Sequence, residues 1–222
     1  MTRYEDVLAT VITEVVAPDA QAVDQQGSFP RASIDALAGI GLLGLVSSAD
    51  VGGEGGGMGD AAAVIEQLAG ACGSTAMVVL MHYAAAVLVE AHGDDKTRRE
   101  IAAGRHLTTL AFSEAGSRSH FWAPLGTATP AGDGVRLDAR KSWVTAAREA
   151  DSYVWSSRPL AAEGPMTLWL VPSDTAGVSP AGAFDGLGLR GNDSTPVVAE
   201  GATIGLDAML GADGAGLDIA LA

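Results

Sequence analysis

Ser113, Glu114, Ser117, Ser119 and His120 crowd into one short stretch, "TLAFSEAGSRSHFWAP", which enters on an apolar run and stops at Pro124. Hydroxyls and backbone N–H groups gathered around a glycine at a strand end are donors, and such donors suit a carbonyl-rich, electron-poor ring or a phosphate. An ordinary serine-rich turn has the same composition. A second stretch, "RKSWVTAA", sets Trp143 and Thr145 two residues apart, a spacing that points both side chains the same way on a strand. An indole beside a hydroxyl makes a stacking wall with one hydrogen bond, useful to a flat aromatic cofactor. A tryptophan packed in the core is the plain alternative.

Other motifs carry less. "GLGLRG", residues 186–191, has the spacing of a dinucleotide fingerprint. That fingerprint works only between a strand and a helix whose N–H groups meet the pyrophosphate, and here Pro196 and a β-branched run follow. A surface turn between strands is the expectation. His82, His92, His106 and His120 show no metal-ligand spacing, and Cys72 is the only cysteine, so neither a metal site nor a disulfide is expected. Cys72 reads as a small buried hydrophobe. His82 sits in an apolar helix, where it is either a core histidine satisfied by a backbone carbonyl or a polar ring facing a pocket.

The elements that must position these residues change period near residue 107. Before it the chain reads as helices. Val7, Val11 and Val15 share a face up to Pro18, and Thr2 and Glu5 have capping-box spacing. Pro30 opens a helix carrying Ile34, Leu37 and Ala38. Asp60 is the expected N-cap of "AAAVIEQLAGACG", and Ser74 that of a long apolar helix ended by Gly93. After His106, short β-branched and aromatic runs alternate with turn residues, and "AGDG" signals a hairpin. The expected fold is α+β by segregated domains: an all-α N-terminal domain over 1–106, a small β-barrel or sandwich over 107–209, and a helical start over 210–222.

With 13 basic and 27 acidic side chains the formal charge is −14. Phosphate backbones and anionic lipid would repel such a chain, so no nucleic-acid or membrane partner is expected. The N-terminus has no basic-then-apolar signal pattern, and the longest apolar stretch is broken by His82, which together suggest a cytoplasmic protein.

The order of these pieces resembles the acyl-CoA dehydrogenase family along essentially the whole chain. "FPRASIDALAGIGLLGLVSSADVGGEGGGMGD" and the helices after it are similar to the family's helical N-terminal domain. "LAFSEAGSRS" resembles its A-x-T-E-P-x-A-G-S-D strand, "RKSWVTAAREAD" its G-x-K-x-W-I-T-N-A-x-x-A-D, and "LGLRGNDSTPVVAEGATI" its G-x-R-G segment. The resemblance implies an FAD-dependent α,β-dehydrogenation of an acyl-CoA or acyl-carrier thioester, within fatty acid metabolism. By match, Phe112, Ser113, Ser119, Trp143 and Thr145 would contact the cofactor, and Ser119 and His82 the substrate; Ser117 rivals Ser119 if the loop is gapped. The family's glutamate base falls beyond Ala222, and Glu114 matches a structural glutamate, so no catalytic residue is assigned.

The resemblance also implies a homo-oligomer or a partner subunit supplying a C-terminal helical bundle, without which the chain would be incomplete, and an electron-accepting flavoprotein. An apolar face left uncovered by that bundle is expected. A flavin-dependent monooxygenase on the same scaffold and a non-catalytic flavin- or partner-binding paralogue are the alternatives.

Overall fold

The computed structural model describes residues 3–118 and 120–222. Thr2 and Ser119 therefore lie outside the described residues, and with Thr2 the capping box expected at the start.

Helix α1 (Arg3–Val11) runs through a π-turn at Ile12–Val16 into α2 (Ala17–Gln26), so Pro18 does not end the first helix as expected. The Ala17 N–H reaches back to the Ile12 carbonyl across the wide turn, and Pro18 falls in the first turn of α2, where its missing N–H is not needed. Leu8, Val11 and Val16 enter the core while Val7 is exposed.

Pro30 does open α3 (Arg31–Gly39), which buries Ile34 and Leu37. Two N-caps differ from expectation. In α4 (Met58–Ala71) the cap is Gly57, and Asp60, three residues in, accepts the Gly57 N–H at 2.9 Å. In α5 (Gly73–His92) the cap is Cys72, while the buried Ser74 hydroxyl accepts the N–H of Gly191, distant in sequence, at 3.2 Å. The first exchange is a local one at capping-box spacing; only the second depends on a partner distant in sequence, which spacing does not show. Helix α6 (Asp95–Ala102) is capped conventionally by Asp94.

The strands follow: β1 (Thr108–Ala111), β2 (Thr127–Ala131), β3 (Gly134–Val144), β4 (Ser152–Ser157), β5 (Thr167–Pro172), β6 (Val178–Pro180), β7 (Thr195–Gly205) and β8 (Met209–Leu210). They form two four-stranded sheets, β1-β4-β5-β8 and β2-β3-β7-β6, with β1 and β4 parallel and the remaining pairs antiparallel. Gly132 and Asp133 turn the β2–β3 hairpin, with Gly132 in the left-handed region that glycine adopts freely. "GLGLRG" is a turn leading through a short 3-10 segment, Arg190–Asn192, into β7, with no helix opening on it. Helix α7 (Gly216–Leu221) closes back on β5, its Gly216 N–H bonding Met166 O at 2.8 Å.

Helices before sheets, in one chain, is the α+β segregation that the change of period implies. The two parts share one continuous core rather than two. Val78, Val79, Tyr83 and Val89 of α5 belong to the same buried cluster as Tyr153, Trp155 and Trp169 of the sheets. By length and composition α5 could cross a membrane, but most of it is buried inside this protein, which accounts for its apolar character.

Candidate functional site

Strand β3 departs from regular pairing as it ends. Lys141 pairs with Val197 but Val144 pairs with Thr195, so a bulge absorbs Ser142 and Trp143. Trp143 takes a left-handed conformation, φ 57°, unusual for a bulky residue. Its indole is thrown outward and is 68% exposed.

Thr145, which the period-two rule puts on the same side, is buried with its hydroxyl 3.0 Å from Ser194 Oγ. The period-two rule holds only while a strand is regular, and the bulge lies between Lys141 and Val144, so spacing alone does not relate Trp143 to Thr145. The alternative of a core tryptophan is excluded. Further left-handed residues, Ala146, Leu189 and Asp193, lie in the two segments stitched together here. Ala146 N–H bonds Asn192 O at 2.9 Å, and Arg148 N–H bonds the Asp193 carboxylate at 2.8 Å. Non-glycine residues held in this region cost about 1–3 kcal/mol each and gather where structure serves function.

Two cavities meet at the Trp143 indole. One, about 600 Å³, is walled by Ser113, Ser117, Ser142, Phe184, Asp185 and Ser194. The other, about 320 Å³, is walled by Met81, Leu110, Phe112, Phe121 and Ala220, and shares Ser113 and Ser142 with the first. Both are in the size range of small-molecule sites. Phe184 meets Trp143 edge-on at 6.4 Å, and Phe112 lies nearly parallel to Phe121 at 6.2 Å. One space is rich in hydroxyls and the other in rings, with an exposed indole between them: a flat polar heterocycle finds a stacking surface and hydrogen-bond donors together.

Beneath this surface lies a buried ion pair. Lys141 Nζ donates to Glu114 Oε1 at 2.6 Å, to Ser156 O at 2.6 Å and to Ser156 Oγ at 2.9 Å. Burial lowers the Lys141 pKa to about 8, with the Glu114 carboxylate opposing. Glu114 Oε2 accepts the N–H groups of Leu125 and Gly126. Three hydrogen bonds thus converge on the Glu114 carboxylate, one of them from the Lys141 ammonium.

Of the residues expected from sequence, Phe112, Ser113 and Trp143 line the cavities; Ser117 does as well, its hydroxyl donating to Glu114 O at 3.0 Å. Thr145 stands behind Ser194. His82 does not face either cavity. It is fully buried, Thr108 N–H donates to its Nδ1 at 3.2 Å, and its Nε2 is 2.9 Å from Leu43 O. With both nitrogens used the ring has nothing to offer a substrate, and the expected substrate contact at His82 is corrected to a joint between α5 and β1. Burial lowers its pKa to about 4.

Ser142, Phe121, Phe184 and Ser194 were missed. Ser142 is one residue before the tryptophan already singled out; Phe184 and Ser194 flank "GLGLRG", whose rejection as a fingerprint removed its neighbours from view. Among the described residues no group of three or more His, Cys, Asp or Glu side chains could hold a metal.

Residues 3–104 match the family model for the acyl-CoA dehydrogenase N-terminal domain, and residues 109–202 that for the acyl-CoA dehydrogenase middle domain. The human mitochondrial short-chain specific acyl-CoA dehydrogenase is 29% identical over 212 residues, covering 92% of this chain and 51% of that protein. An acyl-CoA dehydrogenase structure from Geobacillus kaustophilus superimposes with a TM-score of 0.88 at 18% identity, over 100% of this chain and 61% of its own. KijD3, solved with FMN and dTDP-3-amino-2,3,6-trideoxy-4-keto-3-methyl-D-glucose, gives a TM-score of 0.82 at 27% identity, over 95% of this chain and 54% of its own. The chain spans about half the length of the curated relatives it matches.

Proposed function

This chain belongs to the acyl-CoA dehydrogenase family, and from that premise we propose that it holds FAD against Trp143 and serves the α,β-dehydrogenation of an acyl thioester in the cytoplasm. The observation that carries the reading is the exposed, left-handed Trp143 between two cavities, one lined by hydroxyls. A solvent-facing indole costs burial free energy unless something flat covers it.

Bound there, the flavin would supply the hydride acceptor. Trp143 would stack on its ring, and Ser113 and Ser142 would donate to its polar edge. Thr145 would hold the Ser194 hydroxyl in place, and Phe112 would wall the apolar side. Ser119 keeps the role the family resemblance implies. Glu114 is engaged by Lys141 and does not serve as the proton acceptor; none of this chain's residues is assigned that role.

The proposed division is a helical unit over 1–106, a β unit over 107–209, and the start of a third, helical unit over 210–222, which carries α7. Leu80 and Leu221 are exposed apolar side chains near the smaller cavity's Met81 and Ala220, and an apolar helical partner, from a second copy or another subunit, would cover them. An electron-accepting flavoprotein is the proposed redox partner.

KijD3 favours a second reading. It is a structural relative solved with FMN and a nucleotide-linked amino sugar, so a flavin protein acting on something other than an acyl thioester is compatible with this scaffold.

The test is an absorption spectrum of the purified chain after FAD is added and the excess removed. Retained flavin that bleaches anaerobically with an acyl-CoA supports dehydrogenation. Retained flavin that acyl-CoA leaves oxidised supports the second reading. An apo spectrum, with the helical partner present as well as absent, defeats both.

A further inference from the structure

We propose that Lys141 and Glu114 are positioning residues: a buried clasp that ties both ends of the 115–124 loop to β3 and so sets the shape of the cavities beside Trp143. The proposal rests on the reading of those cavities as the cofactor site, but its geometry does not.

The loop leaves β1 through Glu114, whose backbone bridges to Lys141, and Ser142 N–H bonds Ser113 O at 2.8 Å. The loop returns at Leu125 and Gly126, whose N–H groups bond Glu114 Oε2 at 2.6 and 2.9 Å. One carboxylate therefore holds the exit by its own backbone, the return through Oε2, and β3 through Oε1 and Lys141. Between these ends the loop carries Ser117 to the larger cavity and Phe121 to the smaller.

The return is also sterically fixed. A methyl group at Gly126 would collide with Ala139 and lie 2.9 Å from Glu114 Oε1. Lys141 is held from below by both Ser156 acceptors, and its ammonium lies 5.1 Å from the Trp155 ring centroid.

Stability alone does not explain such a pair. Desolvating two charges offsets most of their attraction, and replacing buried pairs with apolar groups of similar volume is often neutral or stabilising. What an apolar pair cannot do is hold four polar partners in one register. The clasp's effect is therefore expected in the loop rather than in the folding equilibrium.

The decisive variant is Glu114→Met with Lys141→Met, compared with the unaltered chain by three readouts: thermal unfolding, the rate of trypsin cleavage after the exposed Arg118, and the FAD dissociation constant. The expected result is cooperative unfolding within a few degrees of the original, with cleavage after Arg118 faster by about tenfold or more, because proteolysis follows local opening. FAD affinity should fall by about tenfold or more if the cradle depends on the loop's shape.

Should the double variant not fold, Gly126→Ala decides in its place: it crowds the loop's return while leaving both charges, and the same two losses are expected. Cleavage and FAD affinity each within about twofold of the original, in a folded variant, would overturn the clasp. A chain that never binds FAD leaves cleavage after Arg118 to decide the clasp alone, and counts only against the cofactor reading.

Discussion

Two places in the molecule bury a titratable side chain at the edge of β1, and they are built oppositely. At His82 every polar atom is consumed: Thr108 N–H enters one nitrogen, Leu43 O meets the other, and the ring lines neither cavity at Trp143. At Lys141 the pair beneath is equally satisfied, but the strand above it bulges, Trp143 turns left-handed, and the surface opens into two cavities. Burial and a displaced pKa are common to both and so do not distinguish function from scaffold. Backbone strain combined with an exposed aromatic does, because neither stabilises the fold by itself.

The sharpest test of the contrast pairs two tryptophans. Trp155 is fully buried between the sheets, and Trp155→Ala should lower stability by about 3–5 kcal/mol in denaturant titration. Trp143→Ala should leave the denaturation midpoint nearly unchanged, since most of the indole is already in water, yet weaken FAD binding by about tenfold or more through lost stacking. If Trp143→Ala destabilises like a core substitution, the site and the scaffold are not separable in this way.

His82 supplies the next largest effect, and its sign can be stated. The folded ring titrates near 4 and the unfolded one near 6.5, so between those values the unfolded chain binds more protons. Stability should therefore rise with pH across that window and fall by a few kcal/mol as pH drops from 6.5 toward 4. His82→Gln, measured by urea titration at several pH values, should flatten that slope and cost about 1–3 kcal/mol at neutral pH from poorly matched partners. FAD affinity of the folded fraction should not change; a loss there would return His82 to the site.

The limits of sequence reading follow the same division. Helix and strand existence, the hairpin at Gly132 and the rejection of "GLGLRG" were legible because each depends on local period and turn chemistry. So was part of the cavity lining, since Ser113 and Trp143 belong to motif-like runs. What could not be read was where a pattern breaks. Nothing in "KSWVT" announces a bulge, and an inserted residue breaks the alternation that the spacing of Trp143 and Thr145 presumes. Pro18 and Ser74 failed for a related reason: a π-turn and a partner more than a hundred residues away replaced the local bonds that spacing presumes.

Thr145 gives the smallest and most discriminating prediction. It is buried, and its hydroxyl lies 3.0 Å from Ser194 Oγ, which lines the larger cavity. Thr145→Val keeps the shape and removes the bond, so stability should fall by about 1 kcal/mol. If Thr145 acts by holding Ser194, FAD affinity should drop only a few-fold, and Ser194→Ala should reproduce that drop with no further loss in the double variant. Additive losses in isothermal titration would mean that Thr145 reaches the cofactor directly, and that the bulge hides less of the site than the contrast between His82 and Trp143 implies.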